Sequence, residues 1–395
     1  MLLAAGPLLV ASITREPFAV AMAVFAQRIP WVVLGVVAGA VIDRVDRRRL
    51  LVAVNVLRAG VVGLLAAAIA LDAATLPIVY VALFLLGTAE TFADNAKTVA
   101  IAVTVPRVGL GRANARLHGS MIVGNQLAGP PVGAALFGLG MALPFALNAV
   151  LLLGGAVLVA RIERLPHPDG ATRAPLRREV HEGLRWLWAH PPVRTLAILI
   201  TVFNVTFGAA FSVWVLYALE RLQLTEVGFG LLMTVSAVGG LLGTAAYGSL
   251  ERRYGYARLL RVGLVVESLT HVVLASTRSP LVAGGMLAAF GMHAVVWGTT
   301  SSTIRQRVVP SALLGRVTSV YMIGSVGALS LGTLLGGAIA QRYGILAPFV
   351  FAAVGATLTT VVVWRSIANI ADAAVAGVAD EVGDADGADP LAGDA

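Results

Sequence analysis

Gly39-Ala-Val-Ile-Asp43-Arg44-Val-Asp46-Arg47-Arg48-Arg49 is the stretch whose reading decides the fold. About twenty residues before it are nearly all apolar, and a run of similar length follows it. Charge this dense is too costly to hold in hydrocarbon, where a single arginine at a helix centre already costs about 2.5–3.5 kcal/mol. The stretch is therefore a short loop between two membrane-crossing helices. Its arginines assign it to the cytoplasmic face, because short cytoplasmic loops carry the excess of Lys and Arg.

The rest of the composition agrees with a polytopic membrane protein. The chain is 58% hydrophobic and 13% charged, too few charges to solvate a soluble surface of 395 residues. A net charge of +8 raises the question of nucleic acid. The arginines come in small groups between apolar runs, without a continuous basic face, so no nucleic-acid partner is expected. Cysteine is absent, which excludes disulfides, thiolate metal sites and thiol catalysis. His181-Glu182-Gly-Leu-Arg185 lacks the second histidine of a zinc-protease motif, and Lys97, the one lysine, has no glycine loop before it. No enzymatic activity, metal or cofactor is expected, and no cleavable signal peptide is evident.

A hydrocarbon core about 30 Å thick takes about 20 residues of apolar helix. Runs of that kind cover 18–42, 50–71, 76–100, 113–138 and 142–160, then 194–219, 227–250, 258–277, 281–301, 315–340 and 345–365, eleven full spans. Threading them alternately places 21 arginines in loops on one face and four (Arg15, Arg221, Arg278 and Arg342) on the other. The arginine-rich face is cytoplasmic by the same rule.

The chain also repeats itself. Val105-Pro106-x-x-x-Leu110-Gly111-Arg112 returns 204 residues later as Val309-Pro310-x-x-x-Leu314-Gly315-Arg316, and Leu34-Gly35 with Asp43-Arg44 returns 208 later as Leu242-Gly243 with Glu251-Arg252. Both repeats fall on one face, so residues 1–160 and 193–366 form two parallel six-helix halves. The repeat expects the first helix to begin before Met1, so that residues 1–14 hold only its end and about 15 residues precede them. A miscalled start is the preferred account and a true truncation the alternative. Residues 161–192 link the halves through an amphipathic segment suited to the cytoplasmic interface. Residues 367–395, with seven acids and neither Lys nor Arg, read as a disordered tail.

Ionisable residues inside spans are expensive and mark pathways or partners. Glu90 and Asp94 lie one turn apart in span 76–100 with Lys97 beside them, and Arg28, near mid-membrane in span 18–42, can pair with either. A carboxylate beside a variable counter-charge can exchange protons, although a static ion-pair lock fits equally. Glu267 and His271, one turn apart, read as a structural pair, whereas Asn204, His293 and Trp297 are candidates for a substrate cavity or for helix–helix contacts. Gly124-Asn125-Gln126-Leu-Ala-Gly129-Pro130-Pro131-Val-Gly133-Ala134 combines glycines that let helices approach with prolines that break the backbone ladder, and Asn125 and Gln126 are further cavity candidates.

The opening loop, Glu90-Thr-x-x-Asp94, Gly129-Pro-Pro-x-Gly133 and Arg305-Gln-Arg-x-x-Pro310 through Gly315-Arg316 together resemble the major facilitator superfamily. Within it they are similar to the efflux branch that holds enterobactin exporters and macrolide efflux proteins. The resemblance implies an all-α major facilitator fold in the inner membrane, working as a monomer on a small hydrophobic or siderophore-like molecule. It implies export by proton antiport and alternating access, with uptake by a facilitator, or a non-transporting relic, as alternatives. Gly39, Asp43, Arg44 and Arg47 would gate the cytoplasmic side, Asp43 facing the helix that begins near Gly315; Glu251 and Arg252 would do the same near Gly111. The Gly129, Pro130, Pro131 and Gly133 motif would mark an antiporter, and Glu90, Asp94 and Arg28 would couple protons. Two departures stand out: Asp46 replaces a usual glycine, and Leu83 takes the place of the arginine common in drug–proton antiporters.

Overall fold

The computed structural model describes residues 1–42, 45–104, 116–117, 119–162 and 176–370. Every regular element among them is helical. In chain order these are α1 (Leu2–Ile13), α2 (Pro17–Ile42), α3 (Arg47–Ala70) and α4 (Leu76–Thr104). Then come α5, a π-helical turn Ile122–Ala128 running into Gly129–Leu139, α6 (Leu143–Ala160) and α7 (Leu176–Ala189). The second half has α8 (Pro191–Phe211), a short helical turn Trp214–Leu216 running into a π-helical turn Tyr217–Arg221, then α9 (Glu226–Ser276), α10 (Pro280–Val308), α11 (Ser311–Tyr343) and α12 (Ala347–Val363). Eight of the described helices are long and apolar enough to cross a membrane.

Local chemistry sets the boundaries. Asp46 is the N-cap of α3: its carboxylate accepts from the backbone N–H groups of Arg48 at 2.9 Å and Arg49 at 3.1 Å. The aspartate that stands in place of the usual glycine thus satisfies donors that a helix start leaves orphaned. Thr225 and Ser279 cap α9 and α10 in the same way. The 51 residues of α9 are two arms, 226–254 and 256–276, meeting at Gly255 with φ 67° and ψ 170°. That backbone conformation is essentially confined to glycine, so Gly255 folds one helix into two crossings where the sequence predicts two spans.

The core has two levels. At the end away from the arginine-rich loops, a single apolar cluster runs through both halves of the sequence and includes Leu9, Leu65, Phe145, Tyr217, Phe229 and Phe349. At the arginine-rich end the clusters among the described residues are separate. Ala38, Leu51 and Ala96 pack together in the first half, and Leu196, Leu260, Trp297 and Ile304 in the second. Two seams join the halves: Gly337 of α11 meets Ala21 and Phe18 of α2, and Gly230 of α9 meets Pro130 and Ala134 of α5. Near the first seam the Phe18 N–H donates to Gln341 Oε1 at 3.3 Å, and Arg15 lies 3.8 Å from Glu220.

The linker helix α7 docks on the start of α11. Gly183 sits against the Arg316 backbone, Leu187 is buried with Val193 and Val317, and Glu182 accepts from Arg316 at 2.6 Å and Arg178 at 2.9 Å. Leu184 and Trp188, one turn apart, remain exposed, which gives α7 a second apolar face. The chain is still helical over 366–370, with Ile367 and Ile370 buried, so order extends past the expected tail boundary at 367 because two isoleucines three residues apart dock into the second-half core. The rest of that tail, 371–395, lies outside the described residues, as do 163–175 of the linker and the first repeat copy at 105–112.

Candidate functional site

The charges of the first half meet near mid-membrane. Gly87 of α4 lies directly on the Gln27 carbonyl of α2, a contact that leaves no room for a Cβ. This crossing sets Arg28, the next residue of α2, within electrostatic reach of Glu90, one turn along α4. The ion pair itself goes to a residue on a third helix, with Arg58 Nη2 3.5 Å from Glu90 Oε1. Arg58 is eleven residues into α3, about 16 Å along the helix and so halfway across the hydrocarbon. Its Nε is buried without a hydrogen-bond partner among the described residues. Asp94 is held differently, by Lys97 of its own helix at 3.1 Å.

Arg58 is not singled out in the sequence reading. The signal that separates it is its depth in an apolar span, the same signal that singles out Arg28. Arg28 and Asp94 do not meet through a described ion pair; the group assembled is Arg28, Arg58 and Glu90, with Asp94 and Lys97 a turn nearer the arginine-rich end.

The second feature is a cavity of about 370 Å³ at the seam between halves. It is lined by Leu3, Asn125, Gln126 and Pro130 from the first half, and by Met233, Ser236, Ala237, Gly240, Phe290, Gly291, Ala294 and Val295 from the second. None of these is charged. Backbone chemistry shapes the wall. Pro130 and Pro131 have no N–H to give the carbonyls four residues back, and the helix opens into a π turn just before them. The Thr234 hydroxyl, 3.1 Å from the Leu127 carbonyl, reaches across the seam to one of the acceptors so freed. Gly129 and Gly133, both buried, lie against the Met1 backbone and allow α1 to press on α5.

Asn125 and Gln126 therefore line this cavity, whereas His293 and Trp297 meet a different geometry. Both turn away from the cavity toward α9, where Gly263 leaves room for them. His293 Nε2 is 3.2 Å from Glu267 Oε2, and His271 Nε2 is 3.3 Å from Glu267 Oε1, so the expected pair is a triad. Phe290, missing from the sequence reading, takes the cavity position, and its ring stacks on Phe207 with centroids 5.4 Å apart. Asn204 donates to Ser325 Oγ at 2.9 Å and to the Ile200 carbonyl at 2.8 Å, tying α8 to α11.

Of the gate residues, Gly39 is helical near the end of α2 and Arg47 begins α3, while Asp43 and Arg44 lie outside the described residues. Glu251 accepts a hydrogen bond from Tyr256 of its own half, and Arg252 lies beside it on the same helix. Its expected partner region at Gly111 is outside the described residues.

Residues 3–380 match the model of a family described as transmembrane secretion effector, a branch of the major facilitator superfamily. The chain belongs to that family. It is a multi-pass membrane transporter, and its relatives in this superfamily include efflux pumps. The multidrug efflux pump Tap of Mycolicibacterium fortuitum is 29% identical over 343 residues, spanning 82% of this chain and 81% of Tap. The enterobactin exporter EntS of Escherichia coli O1:K1 / APEC is 24% identical over 310 residues, spanning 76% of this chain and 72% of EntS. Among solved structures, a mutant form of the nucleoside transporter NupG has a TM-score of 0.74 at 12% identity, covering 93% of this chain and 95% of NupG. The shared fold is that of a major facilitator transporter.

Proposed function

We propose that this transporter exports a small, largely apolar molecule across the cell membrane by proton antiport, its two halves rocking about the cavity at their seam. The observation that carries the reading is the two-level core. One apolar cluster runs through both halves at the arginine-poor end, while among the described residues the clusters at the arginine-rich end each stay within one half. With the arginine-rich loops, linker and tail in the cytoplasm, this is a conformation closed to the outside and open to substrate from within. Names of relatives such as Tap and EntS support export, and the uncharged cavity wall suits a drug-like or siderophore-like scaffold more than a sugar or an ion. Glu90, between Arg28 and Arg58, is the group placed to take up and release the coupled proton, and its two cations supply the variable counter-charge.

The test uses everted vesicles carrying the protein, loaded with an acidic interior and a pH-sensitive dye. Addition of lipophilic aromatic drugs or catecholate siderophores should trigger proton release, and the response should be absent from vesicles without the protein. Silence across the panel, with insertion verified by protease accessibility of the 163–175 linker, overturns the antiport reading.

A further inference from the structure

The second half carries a buried ionisable group for which the transport reading has no use. Glu267 on the second arm of α9 is 6% exposed, and His271 on the same helix is fully buried. His293 on α10 closes the cluster, with each imidazole Nε2 on a different carboxylate oxygen, at 3.3 Å and 3.2 Å. This geometry assigns a proton to each Nε2, both donating to the carboxylate. With only those protons the cluster carries a net charge of −1 near mid-membrane. The Nδ1 atoms of both rings are buried and have no hydrogen-bond partner among the described residues.

Bare imidazole nitrogens beside an uncompensated buried anion are where a further proton belongs. Adding one at either Nδ1 forms an imidazolium and brings the cluster to neutrality. The N–H so made lacks an acceptor, but an unshared N–H costs less than an uncompensated charge in this interior. A second added proton would restore a net charge and is disfavoured for the same reason.

Among the described residues the surroundings supply no competing charge. The charged groups acting on Glu267 are the two imidazoles themselves. From α12, Thr360 reaches Ser268 at 3.1 Å, and from α8, Phe203 and Phe207 pack on Trp297 and Phe290. Arg261, on the Glu267 helix, is turned to the Trp364 ring at 5.5 Å. Tyr247, Tyr256 and Arg305 lie toward the arginine-rich end of their helices, and Arg305 is stacked on Tyr321.

We infer that Glu267, His271 and His293 form a proton-binding site in the second half of the transporter, holding one proton as an imidazolium–carboxylate pair with a neutral second imidazole. Neither Glu90 nor the seam cavity enters this inference. His293 meets Phe290 edge-on with centroids 6.0 Å apart, so the site lies one ring from the cavity wall.

The test is ¹⁵N-histidine NMR of the full chain in lipid nanodiscs at pH 8. A free imidazole, titrating at about 6.5, is neutral there. One of the six histidines should give an imidazolium signal. Glu267→Gln, which removes the anion, should abolish that signal, and Glu267→Asp should retain it. Six neutral rings in the parent protein, or an imidazolium that survives Glu267→Gln, overturns the inference. If Glu267→Gln does not fold, the parent and Glu267→Asp spectra decide between an imidazolium and none.

Discussion

Glu90→Gln tests the charge group of the first half most directly. At 3.5 Å and an effective dielectric constant of 20, the Arg58–Glu90 pair has a gross Coulomb attraction of about 5 kcal/mol. Glu90 is 38% exposed and Arg58 16%, so water screens much of this, and a coupling of about 1–2 kcal/mol should survive. The substitution leaves two guanidiniums, Arg28 and Arg58, near mid-membrane without their carboxylate. It should therefore destabilise by about 2 kcal/mol, less than the cost of breaking a fully buried pair. Arg58→Gln leaves Glu90 with Arg28 and should cost about half as much. A double-mutant cycle read by thermal unfolding in detergent should return the coupling as non-additivity, with the double variant less damaged than the two singles summed. In vesicles, Glu90→Gln should lose its response to an imposed pH gradient while Asp94→Asn keeps it, because Asp94 is held by Lys97 of its own helix. Additivity within about 0.5 kcal/mol, together with gradient-driven transport by Glu90→Gln, would refute the reasoning.

Gly87→Ala should destabilise by about 1–3 kcal/mol and slow transport, since its methyl falls on the Gln27 carbonyl, whereas Gly35→Ala, with open space around it, should melt like the parent. Phe290→Ala should raise the KM for flat aromatic compounds several-fold and leave insertion intact; an unchanged KM across a drug panel would remove Phe290 from the site. The hydrogen bond from Arg178, followed by the Arg316 charge, holds the Glu182 carboxyl below its usual range, so the α7–α11 contact is complete above that range and is lost only as the pH falls below it. Tryptophan fluorescence from Trp186 and Trp188 should accordingly stay flat from pH 8 to 5 and change below about pH 4; a transition near pH 6–7 would place a different group in control.

The fold was legible because the signals that carry it are local and redundant. Apolar runs identify a polytopic membrane chain, arginine asymmetry orients it and the repeated loop gives two parallel halves, and no side-chain contact is needed to read them. Gly255 shows the limit. The two spans it separates are plain in the sequence, but the positive φ that kinks one arm against the other is visible only in the backbone. The site was legible in its residue types and less so in its pairings. Span position assigns Glu90, Arg28 and Arg58 a similar depth, but which cation reaches the carboxylate depends on helix rotation, and that is set by the Gly87–Gln27 contact between α2 and α4. The same holds for His293, whose helix also lines the cavity through Phe290 and Ala294; hydropathy cannot say which side of α10 the imidazole takes. Gly263, thirty residues away in sequence, makes that choice.

The two halves share a fold and differ in chemistry at its centre. The first half has one carboxylate paired with Arg58 and a second guanidinium, Arg28, within electrostatic reach, an excess of positive charge partly open to water. The second has one carboxylate between two imidazoles, closed to water. A sealed cluster that is neutral with one proton resists change in either direction. On the proposed mechanism the first half would carry the proton-responsive group and the second a closed one, with the close packing at Gly87 and Gly263 setting the helix rotation in each. A perturbation tests this: Thr360→Gly removes the α12 hydroxyl from Ser268, next to Glu267, and should admit water beside the cluster, so that transport acquires a second pH dependence that Glu90→Gln alone does not remove. If that variant retains the parent pH profile, the second-half site is closed by more than the α12 contact, and the division of roles rests on α10 alone.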